Sequence, residues 1–130
     1  MMTKRYLWTT LREDSFGHFA YGESGSAFYR QGNQIMFQYI DFDRENLRAY
    51  HYYGAWYLDV FRAALQEAEE TGSAKIKDTQ YLYVTSEQER FVCRLYGAPS
   101  PANTPGGASL SGSVPFSLDK KYLEKIISDD

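Results

Sequence analysis

The sequence predicts an α+β fold in which an antiparallel sheet of five or six strands packs against one long amphipathic helix, with a short helix at the C-terminus. The first observation is that apolar residues recur at helical spacing between residues 44 and 71. The second is that runs rich in aromatic and β-branched residues, bounded by turn formers, lie on both sides of that segment. Strands and a helix that are each apolar on one side bury those sides by packing as two layers.

The length of 130 residues is typical of one domain. With 43% hydrophobic and 24% charged residues, the chain has enough apolar surface to form a core, which argues against global disorder. We expect residues 1–96 to form the domain core and residues 97–116 to form a flexible loop rich in Pro, Gly and Ser. Residues 117–130 are expected to form a helix that docks on the core.

The first 42 residues are predicted to form an antiparallel meander of three or four strands. Residues 5–12 and 16–21 are candidate strands because they are rich in aromatic and β-branched types. Gly32 and Asn33 separate two further candidate strands, residues 27–31 and 34–42. A two-residue connection that begins with Gly favours a type II′ hairpin, since Gly adopts positive φ without steric cost.

The predicted long helix runs from about residue 44 to residue 71. Asp43 is a suitable N-cap, because its carboxylate can accept hydrogen bonds from the first backbone N–H groups. Gly72 suits the left-handed position just after the end of a helix. A bend in this helix is most readily placed at Gly54.

An alternative stays open for the same segment: a hairpin strand up to Tyr53, followed by a shorter helix from Ala55. A strand would show apolar and polar residues in alternation, and residues 47–53 follow that pattern only in part. The long helix is therefore the preferred interpretation.

After the helix, residues 75–85 and 90–97 are predicted strands joined by a hairpin loop at residues 86–89. Polar residues interrupt one side of each run, which indicates a sheet with one solvent-facing side. Ser117 is the expected N-cap of the final helix, whose apolar residues recur on one side.

Charge and cysteine content restrict the classes of function. The net charge of −3 argues against a nucleic-acid partner, because nucleic-acid binders usually carry a basic stripe. The single cysteine, Cys93, excludes an intrachain disulfide, which favours a reducing compartment, the cytoplasm. Within its predicted strand, Cys93 is expected to be a small core residue. No apolar run approaches the roughly 18 residues of a membrane-spanning helix.

A catalytic centre is a weaker alternative. His18 and His51, with Asp41 or Glu45, could act as acid and base in a small hydrolase or nucleic-acid-processing enzyme if they lay near one scissile bond. Their spacing in the sequence does not indicate that they lie close together. Each histidine is better explained as a half-buried polar residue without a catalytic role. Capping explains the carboxylates around Asp43, and no phosphate-binding loop is present. We therefore predict neither a metal nor a cofactor.

The aromatic content of 17% points instead to a binding surface. On the predicted helix, Tyr52 and Trp56 lie one turn apart on the polar side, and exposed Tyr and Trp are typical anchors of interfaces. Glu67, Glu69 and Glu70 crowd the last turns, where the helix dipole disfavours negative charge. These five residues are the predicted contact site.

The preferred function is a small acidic protein-binding module that acts by occupying a partner macromolecule with a basic surface. Toxin-neutralising immunity proteins and phage-encoded inhibitors act in this way, and the analogy rests on size, charge and aromatic content alone. Binding is favoured over catalysis because no catalytic motif stands out. The remaining alternative is a self-assembling structural subunit, a homo-oligomer in which the exposed aromatics bury against copies of the same chain.

Overall fold

The computed structural model describes residues 3–19, 22–77, 81–97 and 112–128. They form two antiparallel four-stranded sheets, ordered β1-β2-β3-β4 and β5-β6-β7-β8, and two helices. The first half of the chain contains β1 (Lys4–Thr9), β2 (Gly25–Gln31), β3 (Gln34–Asp43), β4 (Arg48–Tyr57) and α1 (Leu58–Thr71). The second half contains β5 (Ser73–Lys77), β6 (Tyr81–Glu87), β7 (Arg90–Gly97), β8 (Gly112–Asp119) and α2 (Lys120–Ile127). Each half therefore runs through four antiparallel strands and then one helix.

The predicted fold class, one sheet of five or six strands packed against a long helix, is wrong. The strands belong to two four-stranded sheets rather than to one sheet of five or six. The helix that was expected to cover the sheet is shorter than predicted, because α1 has 14 residues. The inner faces of the two sheets pack against each other instead, and both helices complete that core.

The first half of the predicted long helix is strand β4. It pairs with β3 along its whole length, from Gln34 opposite Tyr57 to Asp43 opposite Arg48. The alternative interpretation, a hairpin strand followed by a shorter helix, was right in kind, although α1 begins at Leu58. Cross-strand pairing of this length outweighs the helical spacing of the apolar residues, because it satisfies the backbone of both strands.

The turn between β3 and β4 explains why the sequence resembled a helix start. The carboxylate of Asp43 accepts hydrogen bonds from the backbone N–H groups of Glu45 and Asn46, at 3.0 and 3.3 Å. An Asp that opens a turn and an Asp that caps a helix make the same kind of bond. Leu47 completes the turn with a left-handed backbone, φ 53°. The capping signal was therefore genuine and belonged to a different element.

Two local predictions are confirmed. Gly72 ends α1 in the left-handed conformation, φ 97°, and its N–H donates to the carbonyl oxygen of Ala68. Gly32 has φ 61°, and the β2–β3 hairpin closes through two residues, with Gln31 opposite Gln34. Both positions require positive φ, which Gly adopts at no steric cost.

Other strand predictions differ from the structure in their bounds. The first strand ends at Thr9 rather than at residue 12. The predicted strand at residues 16–21 is wrong over its described part, where Phe19 makes an isolated bridge to Glu13; residues 20 and 21 lie outside the described residues. The predicted strand at residues 75–85 contributes to two strands, β5 and β6. Its residues 78–80 lie outside the described residues.

Strand β8 occupies residues that the sequence assigned to the flexible loop and to the start of the final helix. Val114, Phe116 and Leu118 point inward and are buried, while Pro115 points outward. β8 is an edge strand, where Pro is tolerated because one side of the backbone needs no partner. The helix N-cap is Asp119 rather than Ser117, since its carboxylate accepts the N–H of Lys121 and of Tyr122. Residues 98–111 of the predicted loop lie outside the described residues.

The main core lies between the two sheets and is rich in aromatic rings. Phe116 of β8 stacks on Phe37 of β3, with ring centroids 4.1 Å apart and planes 16° apart. Phe28 and Trp8 pack beside it, at 6.0 and 6.2 Å. Cys93 is fully buried in this core, as predicted, and burial raises the pKa of its thiol to about 12. The phenylalanines therefore join the two halves of the chain.

The two helices close the ends of this core. α1 follows the first sheet but packs mainly on β5 and β6 of the second, and α2 packs on β1, β2 and β8. The buried side chain of Arg30 reaches the C-terminal end of α2, where Nη1 donates to the carbonyl oxygens of Ile126 and Ser128. Among the described residues, no helix combines the length and the apolar character needed to cross a membrane.

Candidate binding surface

The predicted aromatic anchors do not lie on an exposed helix face. Trp56 is on strand β4, is 3% exposed and packs against Phe61 with ring centroids 6.0 Å apart. Its ring also covers Gly54, where an added Cβ would lie 2.3 Å from a ring carbon. Tyr52 is half-buried and faces Tyr39 across the sheet. The reasoning that placed both residues on the polar side of a helix is wrong, and Trp56 has no free surface to offer.

The acidic residues of the prediction do lie on the surface of α1. Glu67, Glu69 and Glu70 are exposed. Glu69 forms an ion pair with Lys120 of α2, Oε1 to Nζ 2.8 Å, and Glu70 accepts a hydrogen bond from Gln66. The role of these carboxylates in binding stays a prediction.

The residues of the catalytic alternative are not brought together by any contact among the described residues. Asp41 lies directly opposite Tyr50 on one face of the first sheet. His51 follows Tyr50 in the same strand, so it points to the other face. His18 is exposed in the connection between β1 and β2, where its backbone N–H donates to the Asp14 carboxylate. Burial lowers the pKa of His51 below the usual value for histidine. The described geometry gives no acid–base pair.

The central part of the outer face of the first sheet is covered by the chain itself, whereas Tyr53 and Tyr57 of the edge strand β4 stay exposed there, at 40% and 64%. The connection between β1 and β2 folds back so that Leu11 is buried against Ala27, Tyr29 and Met36, with Phe19 packed beside them. The hydroxyl of Tyr29 accepts a hydrogen bond from the amide of Gln38, whose oxygen lies 2.9 Å from His51 Nε2. These polar side chains satisfy one another at the edge of a small second core.

An ion pair holds the same connection in place. Lys4 Nζ lies 2.6 Å from the Glu13 carboxylate and 5.0 Å from the centre of the Tyr29 ring. Burial raises the pKa of Glu13, but hydrogen bonds from Lys4 and from the Tyr6 hydroxyl outweigh this effect, so the pKa lies below its usual value. A charged Glu13 therefore anchors the covering segment to β1.

Among the described residues, no segment covers the outer face of the second sheet, and we call three of its cross-strand rows the open face. The rows are Ser73, Thr85, Val92 and Ser117; Lys75, Tyr83, Arg94 and Pro115; and Lys77, Tyr81, Tyr96 and Ser113. All of these residues are exposed except Val92 and Ser113, which are half-buried. The open face is the one large sheet surface in the described structure that is left to solvent.

Tyrosines and cations interleave on the open face. Tyr83 and Tyr96 form an edge-to-face pair, with ring centroids 5.8 Å apart and planes at 70°. Lys75 Nζ lies 5.8 Å from the centre of the Tyr83 ring, and Arg94 donates to the Ser113 hydroxyl at 2.7 Å. None of the residues that define the face carries a carboxylate. The surface therefore combines apolar rings with positive charge.

The sequence contained part of the signal for this surface. Lys75 and Lys77, Tyr81 and Tyr83, and Arg94 and Tyr96 are each two residues apart, the spacing of one strand face. The prediction of a solvent-facing side rested on Gln80 and Arg94; Arg94 lies on the open face, and Gln80 lies outside the described residues. The sequence did not reveal that three tyrosines lie on this face, because Tyr is intermediate between the residue types that are usually buried and those that are usually exposed.

No metal site accompanies the open face: in the part of the chain that the structure describes, no group of three or more His, Cys, Asp or Glu residues is placed to hold an ion. Comparison with protein-family models, with curated proteins and with solved structures returned no match.

Proposed function

We propose that the protein is a binding module that works by occupying a partner protein, and that the open face of the second sheet is its contact surface. The observation that carries this proposal is the exposure of three neighbouring tyrosines, Tyr81 at 46%, Tyr83 at 44% and Tyr96 at 41%. They lie on adjacent rows of one sheet, so they form one patch rather than scattered surface residues.

Tyrosine suits this role on physical grounds. Each ring offers a large, rigid contact area at low cost in conformational entropy, and its hydroxyl can pair with a partner's polar groups. Tyr and Arg are enriched among the residues that dominate binding energy, and small hydroxyl residues such as Ser113 and Thr85 provide adaptable hydrogen bonds around them. The composition of the open face matches that of a protein-recognition surface.

The acidic end of α1 gives the module a second point of contact. A shallow depression beside β5 is lined by Glu67 together with Lys75 and Lys77. The acidic and the cationic surfaces therefore meet along this edge of the second sheet. A partner that covers the open face would reach Glu67 as well, and its basic groups would be placed there, as the sequence led us to expect.

The proposal is tested with the tagged protein as bait in an extract of cells that contain its natural partners. The Tyr83→Ala/Tyr96→Ala double variant removes the central ring pair, and Tyr122→Ala is the matched control, since Tyr122 is 55% exposed on α2. Truncating an interface anchor costs about 1–2 kcal/mol or more, so we expect the double variant to weaken the complex at least about tenfold. The control should bind as the unmodified protein does.

Two results would contradict the proposal. The first is a complex that both variants retain in full, with circular dichroism showing that each is folded. The second is a homo-oligomer, detected by light scattering, that the double variant converts to monomers. That outcome would assign the open face to self-assembly and not to a partner protein.

A further inference from the structure

The charge on the open face identifies the chemistry of the partner. We infer that the partner segment seated there is acidic and presents Asp or Glu carboxylates to Lys75, Lys77 and Arg94. This inference rests on the proposed function, because it takes the open face to be the contact surface.

The cations of the open face stand apart from the charge of the whole chain. The protein has a net charge of −3, yet the three rows of the open face carry three cations and no carboxylate. Lys75 and Arg94 lie in the same row on either side of Tyr83, and Lys77 lies in the next row beside Tyr81. Any protein that covers the tyrosines must also remove these cations from water.

Covering a cation is unfavourable unless the partner supplies an opposite charge. A like charge placed there costs several kcal/mol, whereas a carboxylate forms strong charge-assisted hydrogen bonds. Arg94 is especially selective, because its planar group has five N–H donors in a fork that matches the two oxygens of a carboxylate. Ser113 accepts only one hydrogen bond from it, at 2.7 Å.

A nucleic acid would be the other polyanion to consider, and three features disfavour it. Carboxylates border the cations on two sides, with Glu67 at the edge of β5 and, in the row beyond Ser73, Glu87 and Asp119 on either side of Arg90. A phosphate chain that continued past the open face would meet them. The affinity of a protein for nucleic acid grows with the number of phosphates that its Lys and Arg residues neutralise, and the open face offers three cations, or four with Arg90.

The rings of the open face also suit a protein better than unpaired bases. Tyr83 and Tyr96 meet at 70°, edge to face. A platform for single-stranded nucleic acid needs rings that lie flat, so that successive bases stack on them. An acidic protein segment has no such requirement, since its apolar atoms can pack against rings at any angle.

Titration of the full chain with homopolymers, followed by NMR of its backbone amides, tests the inference. The probes are poly-L-glutamate, poly-L-lysine and oligo(dT) of similar length, each added at low and at physiological salt. We expect poly-L-glutamate to shift the signals of β5, β6 and β7, and to bind more tightly than the other two probes. The Lys75→Glu/Arg94→Glu double variant should weaken that binding at least about tenfold, whereas Lys121→Glu, an exposed cation of α2, should not.

The inference is overturned if poly-L-glutamate does not bind, if poly-L-lysine binds more tightly, or if oligo(dT) binds the open face more tightly than poly-L-glutamate. The same charge variants, used as bait in cell extract, separate this inference from the proposed function. A partner complex that is lost with Tyr83→Ala/Tyr96→Ala but kept with Lys75→Glu/Arg94→Glu leaves the proposed function standing and refutes the acidic partner. A complex that keeps its strength with both double variants refutes both.

Discussion

The two sheets have the same topology but differ in how many of their faces are covered. The first sheet packs on the second with one face, and Leu11 and Phe19 cover the other face around Tyr29 and Met36, although not at Tyr53 and Tyr57 of its edge strand. Within the described ranges, the second sheet buries its inner face, and its outer face is exposed. In the first sheet the cover comes from residues 10–24, which join β1 to β2. In the second sheet residues 78–80 join β5 to β6 and residues 88–89 join β6 to β7, while residues 98–111, which join β7 to β8, lie outside the described residues. Connections of two or three residues are too short to fold back across a sheet.

Burial, and not residue type, decides what a tyrosine does in this protein. Tyr29 of the first sheet is 2% exposed and hydrogen-bonded inside a small core, whereas Tyr83 of the second sheet is 44% exposed. Both residues lie in the interior of a four-stranded sheet at similar positions along the strand order. A covering segment makes the first ring a structural residue, and its absence leaves the second available for contact.

The largest expected effect comes from the face that the two sheets share. Phe116→Ala removes the ring that stacks on Phe37 and touches both halves of the core. Truncating a buried Phe to Ala costs about 3–5 kcal/mol, because it loses apolar contact and leaves a cavity. Urea unfolding followed by circular dichroism measures this loss in the free energy of unfolding.

The matched control for this prediction is Tyr81→Ala, on the opposite face of the same sheet. Tyr81 is 46% exposed, so its truncation should change the free energy of unfolding by only about 0.5 kcal/mol. Equal losses for the two variants would mean that the outer face is buried as deeply as the inner one.

A smaller loss is expected where β4 meets the core. Gly54→Ala adds a Cβ that would lie 2.3 Å from a ring carbon of the buried Trp56. Overpacking a core in this way costs about 1–3 kcal/mol, since a rigid ring cannot move aside as a flexible side chain can. The shift of the urea midpoint at unchanged slope reports it.

A compensating substitution checks the cause of this loss. Trp56→Leu removes the ring carbons that would contact the new Cβ, so Gly54→Ala should cost less in the Trp56→Leu background than alone. If the two losses simply add, the clash with Trp56 is not the reason for the destabilisation.

Local backbone chemistry could be predicted from the sequence, and long-range pairing could not. Gly32 and Gly72 were placed correctly because a positive φ is a property of a few neighbouring residues. The β3–β4 pairing depends on residues that the sequence does not mark as partners, such as Phe37 opposite Gly54. Asp43 illustrates the limit, since the same side-chain hydrogen bonds open a turn or a helix.

Composition concealed strand β8. Pro, Gly and Ser surround it and indicated a loop, while its alternating Val114, Phe116 and Leu118 were too few to stand out. Pairing with β7 makes this strand, because Phe91, Cys93 and Leu95 need apolar neighbours on their inner face. The sequence alone does not show which strand lies beside β7, so it does not predict this pairing.

The candidate site was predicted only in its general character. An aromatic contact surface was expected, but Trp56 is in the core and the exposed tyrosines are on another sheet. A helical wheel assigns exposure by position on a helix, so it gives the wrong face once the segment is a strand. The acidic run of α1 was placed correctly because Glu67, Glu69 and Glu70 lie in the part of the segment that is helical.

Tyrosine nitration read by mass spectrometry is the most direct test of the contrast between a covered and an open sheet. In the folded protein we predict that Tyr81, Tyr83 and Tyr96 are modified as readily as the exposed Tyr57 and Tyr122, whereas Tyr29 is protected until the protein is unfolded. Protection of the three open-face tyrosines, or modification of Tyr29 at the same rate in the folded protein, would contradict the account.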